Sequence, residues 1–198
     1  MRTPVREEIL NVAATLFYKE GIRAVGVDRV IEVANVAKAT LYRHFPSKNH
    51  LVAAYLEQRH HRVIRSLHDV IRPADQPRQR ISAIFRNLYE KAGTPDFRGC
   101  AFALAVAEYG DLEQVVTIAR EHKRQIRELF VVIMAEAGVA QSRPAKHLAL
   151  LYEGSLATVA VSRDPKAVLV ARDCALDVFD GAVASIPKGR SAKRGRDN

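Results

Sequence analysis

The feature that most constrains this chain is the helical period of its apolar residues, which runs through nearly every segment. In REEILNVAATLFYKEG, Ile9, Val12, Ala13, Leu16 and Phe17 recur at spacings of three and four and form one stripe, which Gly21 ends. The stripe resumes after Gly26 through Val27, Val30, Ile31 and Ala34. A third short segment closes at Pro46-Ser47, and Ser47 can cap a helix from Lys48 to about Ile71. Further helices are expected over Arg78 to Lys91, Cys100 to Glu108, Leu112 to about Ala137, Ala145 to about Val161 and Pro165 to about Val183. RPADQP, AGTPDFRG, YGD, GVAQSRP and SRDP supply the breaks between them. No segment alternates with period two, and no repeat is found. The expected fold is all-α, with about nine helices.

At 198 residues the chain has room for a small head on a larger body, and 48% hydrophobic residues are enough for a core. The net charge of +9 is concentrated at the ends. Residues 1–50 hold eight Lys/Arg against five Asp/Glu, and residues 187–198 hold five against one. A basic end is compatible with a polyanionic partner. IPKGRSAKRGRDN reads as a disordered basic tail. Cys100 and Cys174 show neither CxxC spacing nor His partners at metal-site intervals, so no metal site and no cofactor is expected. MRTPVREEIL places two glutamates where the apolar core of a secretory signal would begin, and runs such as CAFALAVA are far too short to span a membrane. A cytoplasmic protein without a membrane partner is the expectation.

The last two predicted helices carry more apolar surface than one core can cover. LALLYEGSLATVAV is apolar almost all round, and the helix after it has Val168, Ala171, Ala175, Val178 and Ala182 on one face. Such a pair invites a second copy. The expected seam is Leu148, Tyr152, Ser155, Val159, Ala171, Ala175, Val178 and Ala182.

NVAKATLYRHFPSK is different in kind. Leu41 and Phe45, four apart, form a packing face, while Lys38, Thr40, Tyr42, Arg43 and His44 surround the rest. Two short helices followed by this one match a helix-turn-helix, whose last helix packs with one face and enters the major groove with the other. Lys, Arg and Tyr suit phosphates and guanine edges, and the Thr40 methyl can meet thymine. Lys48, in the first turn of the next helix, suits a phosphate.

The stretch GIRAVGVDRVIEVANVAKATLYRHFPSKNHLVAAYL resembles the DNA-binding head of the tetracycline-repressor (TetR) family, over roughly Val5 to Leu56. The resemblance implies a three-helix DNA-binding head over residues 1–46 and a helical ligand-binding and dimerisation domain over 47–186, with a tail over 187–198. It implies a homodimeric transcription regulator, in most family members a repressor, on a pseudo-palindromic operator, released by a small-molecule effector acting through the fourth helix. It extends the DNA-facing set to Gly26, Val27, Arg29 and Ala39. Three positions depart from the family pattern: Asn35-Val36-Ala37 stands where Gly-Val-Ser is usual, Ala39 replaces a frequent Gly, and Gly26 stands where Thr or Ser often caps. Asn tolerates the left-handed turn, whereas Ala37 lacks a capping oxygen at a cost of about 1 kcal/mol.

Helix faces nominate His60, Phe85, Tyr89, Phe102, Tyr109, His122 and Tyr152 as pocket residues, with ordinary core packing as the alternative for each. Two other readings compete. Glu57-x-x-His60 is one unit of a di-iron bundle, but such sites need two units and two more glutamates. A DNA-binding protein without an effector would have a filled body core.

Overall fold

The computed structural model describes residues 4–71 and 75–186; the basic tail expected over 187–198 lies outside them. Among the described residues there are nine helices and no strand: α1 Val5–Glu20, α2 Val27–Ala34, α3 Lys38–His44, α4 Lys48–Val70, α5 Pro77–Ala92, α6 Ala101–Tyr109, α7 Glu113–Glu136, α8 Ser142–Ser162 and α9 Lys166–Ala184. Each lies within a few residues of its expected span.

Local chemistry sets the ends. Asn35 takes the left-handed conformation (φ +50°) that the turn between α2 and α3 demands, and Ala37 opens α3 with no side-chain cap. Ser47 caps α4, its Oγ accepting from the His50 N–H at 3.3 Å. Gln76 and Gln79 form a reciprocal capping box on α5, with Pro77 at its first turn. Gly99 (φ +87°) cannot be replaced freely: a Cβ there would lie 2.9 Å from the Ala160 Cβ, so the loop before α6 presses directly on α8.

Two apolar clusters form the interior. The first joins Ile9, Ala13, Phe17, Val30, Leu41 and Phe45 of α1–α3 to Leu51, Val52, Tyr55 and Leu56 of α4, and to Ala101, Phe102 and Ala105 of α6. The head's core therefore crosses the 46/47 line, because a seven-residue α3 cannot stand without the start of α4 behind it. The second cluster joins α5, α7, α8 and α9 around Ile84, Phe85, Phe130, Leu148, Tyr152, Val168 and Ala175. Arg78 grips Asp180 with two nitrogens, at 2.9 and 3.0 Å, tying α5 to α9.

Packing within the chain divides the residues of the expected dimer seam. Leu148 and Ala175 are wholly buried in the chain's own core, and Tyr152 and Val159 nearly so, leaving no area for a partner to cover. Ala182 packs against that same core. A helix apolar all round offers two faces, and periodicity alone did not say which one the monomer uses. The opposite face stays open. A shallow apolar groove of about 700 Å³ runs between α8 and α9, lined by His147, Leu150, Gly154, Thr158, Val170 and Cys174. Ser155, Ala171 and Val178 also line it, although Ser155 and Ala171 are themselves largely buried and only Val178 is half-buried. Leu150, Val161 and Val170 are 66%, 87% and 64% exposed.

Candidate functional site

The first candidate surface is α3 with its surroundings. Leu41 and Phe45 are buried in the head, which turns Lys38, Ala39, Tyr42 and Arg43 outward and leaves Thr40 and His44 half-buried beside them. Gly26 and Arg29 are exposed at the start of α2, and Val27 is half-buried there. Two of the cations have internal partners. Lys38 Nζ lies 3.1 Å from Asp28 Oδ1, a hydrogen bond that raises its pKa, and Arg29 pairs with Glu32 at 2.9 Å. Both pairs are solvent-exposed, so they hold the side chains only weakly and can exchange for phosphate.

Lys48 stands in the first turn of α4, where the sequence expects it, and it has protein neighbours there. Its ammonium lies 5.8 Å from the centre of the Tyr109 ring and 3.5 Å from the Arg23 carbonyl, at a junction of head and body. Arg23 completes that junction. Its N–H donates to Glu108 Oε2 at 2.6 Å, its Nε donates to the Glu108 carbonyl at 2.5 Å, and its guanidinium lies over Tyr109. Tyr109 is therefore a head–body contact and not a pocket residue. The reason is register: it ends α6 one turn beyond Ala105, the last buried residue of that helix.

The second candidate is a cavity of about 270 Å³ in the body. It is lined by Arg59, Arg62 and Val63 of α4, Leu88 and Lys91 of α5, Thr94, Phe97 and Gly99 to Phe102 before and at the start of α6, His122 of α7, and Tyr152 and Leu156 of α8, with Tyr18 of α1. Of the seven nominated residues, Phe102, His122 and Tyr152 line it. His60 stands behind His122. Phe85 and Tyr89 are core: Phe85 is fully buried, edge-on to Tyr152 and tilted against Phe130, and Tyr89 packs on the same cluster. Arg59, Arg62 and Lys91 were missed, since from sequence each looks like an ordinary charge on a solvent face.

The inner wall is neutral. His122 stacks on Phe102 with centroids 3.7 Å apart, and its Nδ1 lies 3.2 Å from His60 Nδ1. One imidazole must donate and the other accept, so the pair holds when at most one carries a proton on both nitrogens. Burial, followed by the charges of Lys123, His60 and Arg59, pulls the His122 pKa down to about 3, and burial lowers His60 as well. Tyr152 is pushed upward by burial. No group of three His, Cys, Asp or Glu side chains able to hold a metal is found among the described residues. Glu57 of the Glu57-x-x-His60 pattern is exposed, while His60 is turned inward onto His122, so the pair does not converge. No helix among the described residues is long and apolar enough to cross a membrane.

Known proteins match this architecture. Residues 9–55 match the family of bacterial regulatory proteins, tetR family. A TetR-family transcriptional regulator of Streptomyces coelicolor shares the fold at a TM-score of 0.80 and 30% identity, covering 91% of this chain and 94% of that one. The transcriptional repressor KstR2 of Mycolicibacterium smegmatis is 26% identical over 149 residues, 74% of this chain and 72% of its own length. The transcriptional activator FasR of the same organism is 29% identical over 85 residues, 43% of this chain and 39% of its own. The chain belongs to the TetR family of helix-turn-helix, DNA-binding transcriptional regulators, which are not enzymes.

Proposed function

We propose that the protein is a cytoplasmic homodimeric repressor that binds a pseudo-palindromic operator through α3 and is released when a small molecule fills the body cavity. Residues 1–46 act as the DNA-reading head and 47–186 as the ligand-binding and dimerisation part. The observation that carries this reading is the course of α4. It begins with Lys48 at the head–body junction and continues unbroken to Arg59, Arg62 and Val63 in the cavity wall. A helix of 23 residues is about 34 Å long and stiff, so a ligand that displaces its far half also moves its near end.

In this reading Lys38, Ala39, Thr40, Tyr42, Arg43 and His44 face the major groove, with Gly26, Val27 and Arg29 beside them. The two copies of α3 reach successive grooves about 34–36 Å apart. The open groove between α8 and α9 is the dimer seam, with Leu150, Gly154, Thr158 and Val170 replacing the buried residues of the first expectation. Selection of operator DNA from a random pool, followed by footprinting, tests the reading. Two half-sites in inverted orientation are expected, bound by a dimer in light scattering. A single unrepeated site bound by a monomer would overturn it. The sign of regulation is tested by reporter expression with and without the protein.

A further inference from the structure

The cavity mouth has an excess of one charge. Arg59, Arg62 and Lys91 all line it, and no Asp or Glu among the described residues does. None of the three has a carboxylate within 4.0 Å among the described residues, whereas Arg78, Lys123 and Arg124 are each paired with one. The Lys91 ammonium meets only the neutral Ser66 hydroxyl, at 2.5 Å. The Arg59 guanidinium carbon lies 4.3 Å from the centre of the Tyr18 ring, and its N–H groups meet no protein acceptor among the described residues. Like charges gathered without a counter-ion repel. Lys91 shows it: burial lowers its pKa first, and the charge of Arg59 lowers it further.

Behind the mouth the wall changes character. Leu88, Phe97, Phe102 and Leu156 are apolar, and the His60–His122 pair is neutral in the folded protein. The cavity therefore offers one cationic end and one uncharged end. Its volume of about 270 Å³ lies at the small edge of the range for ligand pockets, which suits one ring or a short chain.

We propose that the effector is an amphipathic organic anion, with a carboxylate or phosphate head held by Arg59, Arg62 and Lys91 and an apolar body against Phe97, Phe102 and Leu156. The proposal rests on the reading of this cavity as the effector site. Two guanidinium forks and an ammonium recognise either head, and the anion relieves the repulsion among them. A cationic ligand would add to that repulsion, and a neutral one would leave it in place.

The test uses the full chain and four probes that share one body: octanoate, octyl phosphate, 1-octanol and octylamine, with inorganic phosphate as a headgroup alone. Binding is measured by calorimetry and by thermal shift. At least one of the two anions is expected to bind at least tenfold more tightly than octanol, with octylamine and bare phosphate weaker still. The better anion identifies the head. Arg59→Gln and Lys91→Gln should each cost that anion about tenfold and leave octanol unchanged. Raising the salt concentration on the unmodified protein should weaken the anion and spare octanol, which keeps the test open if a variant folds poorly. Octanol equal to both anions, octylamine tighter than both, bare phosphate as tight as octyl phosphate, or no binding of either anion would overturn the proposal. Operator affinity is read separately by fluorescence anisotropy. An anion that binds as expected yet leaves operator affinity unchanged would uphold the anion site and defeat the effector reading alone.

Discussion

The head and the body solve the same packing problem with opposite results. In the head, α1 to α3 and the start of α4 close a core with Ile9, Phe17, Val30, Leu41 and Phe45 almost fully buried, and the candidate functional groups lie on its exposed or half-buried surface. In the body, six helices, α4 to α9, leave two surfaces unfilled: a cavity of about 270 Å³ lined by Phe102 and Tyr152, and an apolar groove of about 700 Å³ between α8 and α9. A surface meant to read a rigid duplex gains from a closed core that holds short helices in place. A region meant to accept a ligand and a second copy must keep room for both. The two regions meet through α4 and α6, so an event in the open region has a path to the closed one.

The sharpest way to break this comparison is to place a charge on each side of one body helix. Val170 and Ala175 lie on opposite faces of α9, one 64% exposed and the other not at all. Ala175→Asp buries a carboxylate without a partner and should destabilise the fold itself by several kcal/mol, seen as a large fall in Tm. Val170→Asp should leave Tm of the monomer and its helicity little changed and convert the dimer to monomer in light scattering. Operator affinity should fall about 100-fold or more, because the two heads no longer bind as one unit. A Val170→Asp protein that stays dimeric would put the seam elsewhere.

The next effect is on stability and distinguishes the body alone. His122 is held neutral in the folded chain, with a pKa of about 3 against about 6.5 unfolded. Between those values the unfolded chain binds the proton and the folded one does not, so stability rises with pH. The contribution is fully present above about pH 6.5 and is lost progressively as pH falls toward about 3. Between pH 7 and 5 the loss should be on the order of 2 kcal/mol. His122→Phe should flatten the dependence of Tm on pH over that interval, and an unchanged slope would show that other groups produce it.

A smaller effect isolates the head. Tyr42 is 40% exposed on α3, so truncation removes surface without opening the core. Tyr42→Ala and Arg43→Ala should each weaken operator binding by about 1–3 kcal/mol and leave the thermal unfolding of the protein within about 0.5 kcal/mol. Fluorescence anisotropy against operator and scrambled DNA checks this. Tyr42→Ala that binds both as the parent does would remove α3 from the interface.

These sites differ in how far the sequence revealed them, and the cause is physical. The head was legible because its signals are local. Leu41 and Phe45 fix the phase of α3, and a phase fixed by two buried residues decides where Lys38, Tyr42 and Arg43 must point. Asn35 marks the turn by its tolerance of the left-handed conformation. The body's helices were legible for the same reason, since period shows where a helix lies. Its sites were not, because the cavity is assembled from α1, α4, α5, α6, α7 and α8. Arg59, Arg62 and Lys91 acquire a common role only when packing brings them to one mouth. The open apolar face was not legible either: α8 is apolar on two sides, and Leu148 or Leu150 could each have been the inner residue. Tyr109 shows the limit from another direction, as an aromatic at a helix end that serves the junction and not the pocket.

The smallest effect tests that junction. Lys48 has two assigned environments, the DNA phosphate that its place in the first turn of α4 suggests and the Tyr109 ring 5.8 Å away. The two make different demands. A phosphate contact adds a released counter-ion, so Lys48→Ala should weaken binding on all sequences alike and flatten the dependence of log affinity on log salt by about one unit. A junction contact is internal, and a cation over an exposed ring is worth about 0.5–1 kcal/mol. Tyr109→Ala should then change operator affinity by no more than that amount and leave the salt slope as it was. The double variant decides between independence and coupling. If Lys48 leaves Tyr109 for a phosphate on binding, Tyr109→Ala frees the ammonium and should tighten operator binding slightly, and the gain should vanish in the Lys48→Ala background. If Lys48 stays over the ring, its removal should leave the salt slope intact, and the phosphate role drops out while the head–body link through Arg23 and Glu108 remains.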